Sequence, residues 1–248
     1  MNEQSDLDGA GRGEAPGPGF FGRRKGKQLR QHQTELIQTL LPTVTVDLAK
    51  ARLDPCRLFD RPVKEVRVEI GFGGGEHLVA AALRNPEIGF IGCEAFVNGV
   101  AKLLHAIEEQ NISNIRIHPE DALELLRELP DASISRVYLL YPDPWPKPRQ
   151  RKRRIVSDTF GESLSRILKD GAHFRFATDI DDYSAWTLSR LLRNPDFAWL
   201  AETATDWTSP WANWPGTRYE AKARREGRPP AYMTFERKPR LPGSAEPM

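Results

Sequence analysis

Between residues 65 and 192, short apolar stretches alternate with segments whose apolar residues recur every three or four positions. VRVEI (66–70), IGFIGCE (88–94), NIRIHPE (114–120), SRVYLLY (135–141) and AHFRFAT (172–178) read as strands. Helical spacing separates them, as in Val97, Val100, Leu104 and Ile107, or in Phe160, Leu164, Ile167 and Leu168. Strand–helix units joined by short connections need a parallel sheet covered on both faces. Right-handed crossovers make that sheet doubly wound. FAWLAE (197–202) and AYMTFER (231–237) supply two further strands. The predicted fold is therefore α/β, a mostly parallel seven-stranded sheet with helices on both faces. Its ligand crevice is expected at the carboxyl ends of the strands, near the reversal of strand order.

The rest of the chain is organised around that unit. Residues 1–19 are rich in Gly, Pro and charge and are predicted to be a disordered tail. Residues 20–60 read as a flexible basic arm with a helix, in which Leu29, Leu36, Ile37, Leu40 and Leu41 precede a stop at Pro42. Residues 61–240 form the main domain, and 241–248 a C-terminal tail. The first residues lack the apolar core of a secretory signal, and no apolar run spans a bilayer. Cys56 and Cys93 are the only cysteines and are expected as reduced thiols in the cytoplasm. Neither sequence order nor spacing suggests a Ser-His-Asp triad or a metal site among the five histidines. Oligomeric state is not readable.

Net charge is only +2, but its distribution is uneven. Arg23, Arg24, Lys25, Lys27 and Arg30 cluster near the start, and Lys147, Arg149, Arg151, Lys152, Arg153 and Arg154 cluster mid-chain. Local basic patches on a near-neutral protein point to a defined polyanion site.

The first strand ends in VEIGFGGGEH, which places Glu69, Gly71, Gly73, Gly74 and Gly75 at the crevice. Glycines there let the backbone turn tightly and approach a ligand. A dinucleotide fingerprint needs a glycine where Glu76 stands. A carboxylate at a helix start repels pyrophosphate, so the loop suits a ligand without phosphates, such as the cationic S-adenosylmethionine. Glu94 ends the second strand, where an acid accepts from ribose hydroxyls. Asp121 follows the third, where an acid receives an adenine amine. The fourth strand runs into YPDPWPKPRQRKRR, whose alternating prolines stiffen a loop beside the crevice.

EIGFGGGEH, PDPWPK followed by KRR, ATD at 177–179 and GTRYEAK at 216–222 together resemble the bacterial tRNA (guanine-N7)-methyltransferases. The resemblance runs from about Phe20 to Arg237 and implies a class I, S-adenosylmethionine-dependent enzyme that releases S-adenosylhomocysteine. It implies cofactor binding by Glu69, Gly71, Gly73, Glu94 and Asp121, and an active-site role for Asp143. It further implies substrate contacts at Lys147, Asp179, Thr217, Arg218, Tyr219 and Glu220, and RNA contacts at Arg149, Arg151, Lys152, Arg153 and Arg154. The family substrate is guanine 46 in the tRNA variable loop. Pro146 departs from the pattern, standing where family members usually carry His, so no proton-handling role is expected there.

The chemistry fits this residue set. Guanine N7 has an in-plane lone pair and no proton, so attack on the methyl group needs neither metal nor strong base. Asp143 is expected to stabilise the cationic product or to orient the base, and Lys147 or Arg218 to donate to O6. Tyr219, Trp145 or a Trp of 207–214 is a candidate for stacking on the exposed guanine. Plainer readings stand beside these: Asp179 as a helix cap, the basic run as a solvated helix start, and Trp207, Trp211 and Trp214 as covers for the core. Three other functions compete: a nicotinamide-dependent oxidoreductase, a non-enzymatic RNA-binding protein, and a methyltransferase acting on another base or on protein.

Overall fold

The computed structural model describes Arg24 and residues 26–240. The expected tails at 1–19 and 241–248, and the basic residues Arg23 and Lys25, lie outside the described residues.

In chain order, three helices come first: α1 (Gln31–Thr39), α2 (Leu41–Val44) and α3 (Leu48–Leu53). The alternating unit follows as β1 (Glu65–Ile70), α4 (Glu76–Arg84), β2 (Ile88–Cys93), α5 (Val97–Glu109), β3 (Ile115–His118), α6 (Ala122–Glu128), β4 (Ile134–Leu140), α7 (Asp158–Ile167), β5 (Leu168–Thr178) and α8 (Asp181–Leu191). The chain closes with β6 (Phe197–Trp199), α9 (Thr205–Thr208), α10 (Arg218–Arg225) and β7 (Ala231–Arg237). The strands form one seven-stranded sheet in the order β3-β2-β1-β4-β5-β7-β6. The first five strands run parallel, and β7 is antiparallel to both β5 and β6.

Helices α6, α7 and α8 cover one face, where Leu125, Leu126, Phe160, Leu164, Ile167 and Tyr183 meet Val68, Val137, Phe174 and Phe176. Helices α4 and α5 cover the other face over β1–β3. Over β4, β5 and β7 that second face receives Trp211 and Trp214, which pack on Tyr138 and Tyr232. The core reading of those two tryptophans is the one the structure supports.

Three expectations are revised. Pro42 does not simply end the first helix. It sits in the first turn of α2, where its missing N–H costs nothing. The fifth strand starts at Leu168, four residues early, and the extra residues are absorbed by a register shift beside Gly171, whose φ is 74°. The sixth strand keeps only Phe197–Trp199. In addition, residues 31–58 are not a free arm. Leu36, Val44, Val46, Ala51 and Leu58 are buried in the main core, and the Val46 N–H donates to Ile117 O at 2.9 Å, covering the β3 edge.

Arg116 on β3 fastens the segment that leads into β1. Its buried guanidinium donates to Leu58 O (2.6 Å), Ser113 O (3.1 Å), Ile115 O (3.0 Å) and the Asp60 carboxylate (3.0 Å), and lies over the Phe59 ring. Removing it strands several carbonyls away from water. Arg116→Ala is expected to lower unfolding free energy by about 3 kcal/mol. In a chain of this size that is roughly 6–12 °C in melting midpoint, measurable by calorimetry. A shift within experimental error refutes the role.

Candidate active site

Parallel strands β1 and β4 are neighbours although β2 and β3 come between them in sequence. The connection after β1 turns to one face and that after β4 to the other, so a crevice opens between their carboxyl ends. A cavity of about 430 Å³ lies there. Gly71, Gly73, Glu94, Phe96, Asp121, Leu139, Tyr141, Asp143, Lys152, Arg153 and Tyr219 are among the residues that line it.

The glycine loop forms its floor. Gly71, Gly73 and Gly75 have φ values of 69°, 58° and 81°, a region that side chains rarely adopt. Glu94 holds the loop in place: one oxygen accepts from Gly73 N (2.8 Å) and the other from Phe96 N (2.9 Å). Burial pushes the Glu94 carboxyl above its ordinary value, these two N–H donors pull it back, and the Asp143 charge raises it again. Asp121 caps α6 by accepting from Leu123 N (3.0 Å) while facing the cavity. Burial likewise raises Asp143, whose carboxyl reaches solvent at the mouth.

Glu69 stands apart from this group. It is 3% exposed, its side chain pairs with His77 Nδ1 at 2.6 Å, and it is not among the cavity-lining residues. The His77 ring packs on Tyr138 and Trp214. Glu69 thus joins β1 to α4 beneath the glycine loop.

The loop after β4 is held by strain and by one buried cation. Tyr141 and Trp145 adopt φ of 51° and 42°, which is costly without glycine. Arg154 donates to Pro144 O at 2.8 Å and to Asp182 Oδ2 at 2.5 Å, and its guanidinium lies over the Tyr183 and Trp186 rings. Its side chain is fully buried. Arg154 was expected among the RNA-contacting cations, but no side-chain surface remains for a phosphate. Arg151 pairs with Asp182 at 2.7 Å, and Arg153 lies over the Trp145 ring. Lys147, Arg149 and Lys152 are exposed. The basic run forms its own 3-10 turn, Pro148–Arg153, ahead of α7, which starts at its Ser157 cap. The cations therefore avoid the positive end of the α7 dipole.

The segment Thr217–Glu220 divides into two roles. Thr217 caps α10 by accepting from Glu220 N at 3.1 Å. Glu220 is buried and accepts from Tyr232 Oη (2.7 Å), Arg224 Nε (3.0 Å) and Trp214 Nε1. Its carboxylate is used up inside the fold, so it positions the segment. Arg218 and Tyr219 project outward over Gly73, and Arg218 lies 3.8 Å from Glu76. Asp179 is held by Arg228 Nε at 2.6 Å. Asp179 and Lys147 are not among the residues lining the cavity.

Sequence reasoning did not single out Tyr141, Phe96 or Arg228. The only signal for Tyr141 was its place immediately before PDPWPK. Arg228 carries no motif, because its pairing with Asp179 spans 49 positions.

The donor set suits a cationic ligand without phosphates. Carboxylates meet the cavity at three strand ends, and the glycine loop leads into a helix whose first residue is Glu76. The family model described as "Putative methyltransferase" matches residues 63–233. A tRNA (guanine-N(7)-)-methyltransferase of Nitrobacter hamburgensis is 58% identical over 219 residues, which is 88% of this chain and 86% of that protein. Its counterpart in Bradyrhizobium diazoefficiens is 56% identical over 88% of this chain and 93% of that protein. The solved protein PH0851 shares the fold, with a TM-score of 0.52 and 15% identity over 77% of this chain and 45% of its own. On the family match and these identities, the chain belongs to the tRNA (guanine-N(7)-)-methyltransferase family.

Proposed function

We propose that this protein transfers the methyl group of S-adenosylmethionine to N7 of a guanine in tRNA, at position 46 of the variable loop. The observation that carries the reading is the meeting of Glu94, Asp121 and Asp143 in one cavity whose mouth is rimmed by Lys152, Arg153 and Tyr219. The donor, when bound, supplies an electrophilic methyl on a positively charged sulfur.

Glu94 and Asp121 would hold the ribose and adenine ends, and the glycine loop would let the donor lie against the backbone. The N7 lone pair forms the new N–C bond, and the C–S pair leaves on sulfur. No proton moves at the reacting atoms. Positive charge passes to the guanine ring, so a carboxylate facing it stabilises the transition state more than the ground state. Asp143 has that place, and its partly desolvated surroundings strengthen its field when it is ionised. Lys152 and Arg153 meet phosphates at the mouth. Tyr219 offers a ring at the entrance on which an exposed base stacks. Among the described residues no helix is long and apolar enough to cross a membrane.

The direct test combines purified protein, labelled S-adenosylmethionine and tRNA lacking N7-methylguanosine, with the product mapped by mass. Asp143→Asn is expected to lower kcat about 100-fold or more while leaving donor affinity intact. Labelled donor that binds but leaves tRNA unmodified would sink the substrate assignment. In the wild type the active form is the carboxylate. Burial raises the Asp143 and Glu94 pKa values, so activity should fall with pH through a limb above the ordinary aspartate value. A flat profile down to that ordinary value contradicts the role.

The two kinds of cation separate in a second experiment. Lys152→Ala and Arg153→Ala should weaken tRNA binding and flatten its salt dependence by about one unit of log–log slope per lost phosphate contact. Arg154→Met should instead lower the melting midpoint. Glu220→Gln is expected to raise KM for tRNA with donor affinity unchanged, because it loosens the anchor behind Arg218 and Tyr219. Equal effects on both ligands would show that Glu220 acts on the whole cavity.

A further inference from the structure

Outside the cavity lining, α1 packs on α5 and brings three metal-ligating side chains together. His32 stands in the first turn of α1. His105 and Glu108 lie three residues apart on α5, a spacing that puts them on one helix face. One ligand atom from each falls within 4.8 Å of the others. His32 Nε2 is 2.6 Å from Glu108 Oε2, and the two imidazole rings meet edge to face with centroids 5.8 Å apart. All three side chains are exposed, so an ion has free access.

We propose that His32, His105 and Glu108 bind a divalent transition-metal ion of the zinc class, which fastens α1 to α5. Two imidazoles and a carboxylate are ligands for zinc, nickel or copper, while magnesium and calcium prefer all-oxygen sets. Three protein ligands leave the fourth tetrahedral position to water. A separate observation supports the assignment. Glu35 Oε2 lies 3.6 Å from His32 Nδ1, the nitrogen away from the ligand cluster. At that distance, beyond a hydrogen bond, Glu35 adds negative charge beside the cluster, which favours a cation there.

The site has a structural consequence. The segment ahead of α1 is tied to the first turn of α5: Val97 N donates to Arg24 O (3.0 Å), Gly26 N to Asn98 Oδ1 (2.8 Å) and Asn98 Nδ2 to Lys27 O (2.7 Å). Phe96, just before that turn, lines the cavity, and Arg24 reaches Glu120, which lines it as well. A metal joining α1 to α5 holds this basic strap beside the cavity mouth. The metal is structural and takes no part in methyl transfer.

The test uses untagged full-length protein stripped with chelator, titrated with Co2+ and then competed with Zn2+. The expected result is one ion per chain and a visible d–d spectrum without thiolate charge transfer, which excludes Cys56. Excess Mg2+ should not displace the ion, and Zn2+ should raise the melting midpoint. His105→Ala and His32→Ala, both at exposed positions, should fold with the metal-free wild-type midpoint and lose binding. Glu35→Gln, which removes a charge but no ligand, should keep the stoichiometry of one ion per chain. Failure of the wild type to bind, or binding that survives either histidine variant, overturns the proposal.

Discussion

The hydrogen bonding of β1 directly to β4 is the constraint from which the site follows. Those strands pair in parallel from Arg67 and Arg136 to Ile70 and Leu139 with no crossover linking them. The chain leaving β1 enters α4 on one face, and the chain leaving β4 goes to α7 on the other. Nothing in the sheet covers the gap between the two departing chains. Polar residues placed just past β1, β2, β3 and β4 must therefore face a common cavity. Glu94, Asp121 and Asp143 come together for that reason although they lie on separate connections.

A cavity lined by carboxylates has to be kept rigid, because an uncompensated negative group otherwise turns toward water. Two devices do this. Glu94 spends both oxygens on backbone N–H groups, so it stays fixed with its charge stabilised by dipoles. The proline loop is held from behind by Arg154, whose guanidinium is bonded to Pro144 O and Asp182 and enclosed by Tyr183 and Trp186. The strained φ values at Tyr141 and Trp145 persist because this buried contact over-determines the loop. Glu220 does for α10 what Arg154 does for the proline loop. In both motifs a charged residue faces inward so that its neighbours are presented outward.

That inward use explains what the sequence could and could not reveal. Strand–helix alternation fixed the sheet and its two faces, since periodicity reports burial directly. Glu94 and Asp121 were legible because topology alone delivers strand ends to the crevice, whereas Glu69, read the same way, turns inward to His77. The KRR and TRYE runs were less transparent. Charge in a sequence carries no sign of direction, so Arg154 read like Arg153, and Glu220 like Arg218. Telling them apart needs the aromatic and carboxylate partners, Tyr183, Trp186 and Asp182 in one case and Trp214 and Tyr232 in the other. Asp182, Tyr183 and Trp186 sit on α8, some thirty residues after Arg154. Tyr232 sits on β7, twelve residues after Glu220. The early helices were misjudged for a related reason. Residues 31–58 are amphipathic enough to be core, but it takes the flank of α5, the exposed edge of β3 and, for Val46, Ala51 and Leu58, the cluster beneath α6 to give their apolar residues somewhere to go.

The distribution of charge about the cavity then separates recognition from catalysis. Carboxylates line the cavity and exposed cations lie about it, Lys152 and Arg153 on the basic turn and Arg218 over the glycine loop. On the proposed function, a polyanion would be drawn to the exposed cations and repelled by the acids, so a nucleic acid would meet the protein without its phosphates entering the cavity. A cationic donor experiences the reverse. On the proposed function, the field of these acids would both attract the donor and favour the charge that appears on the acceptor base. On the proposed function, Glu94 and Asp121 would serve the donor and Asp143 the charge that appears on the base.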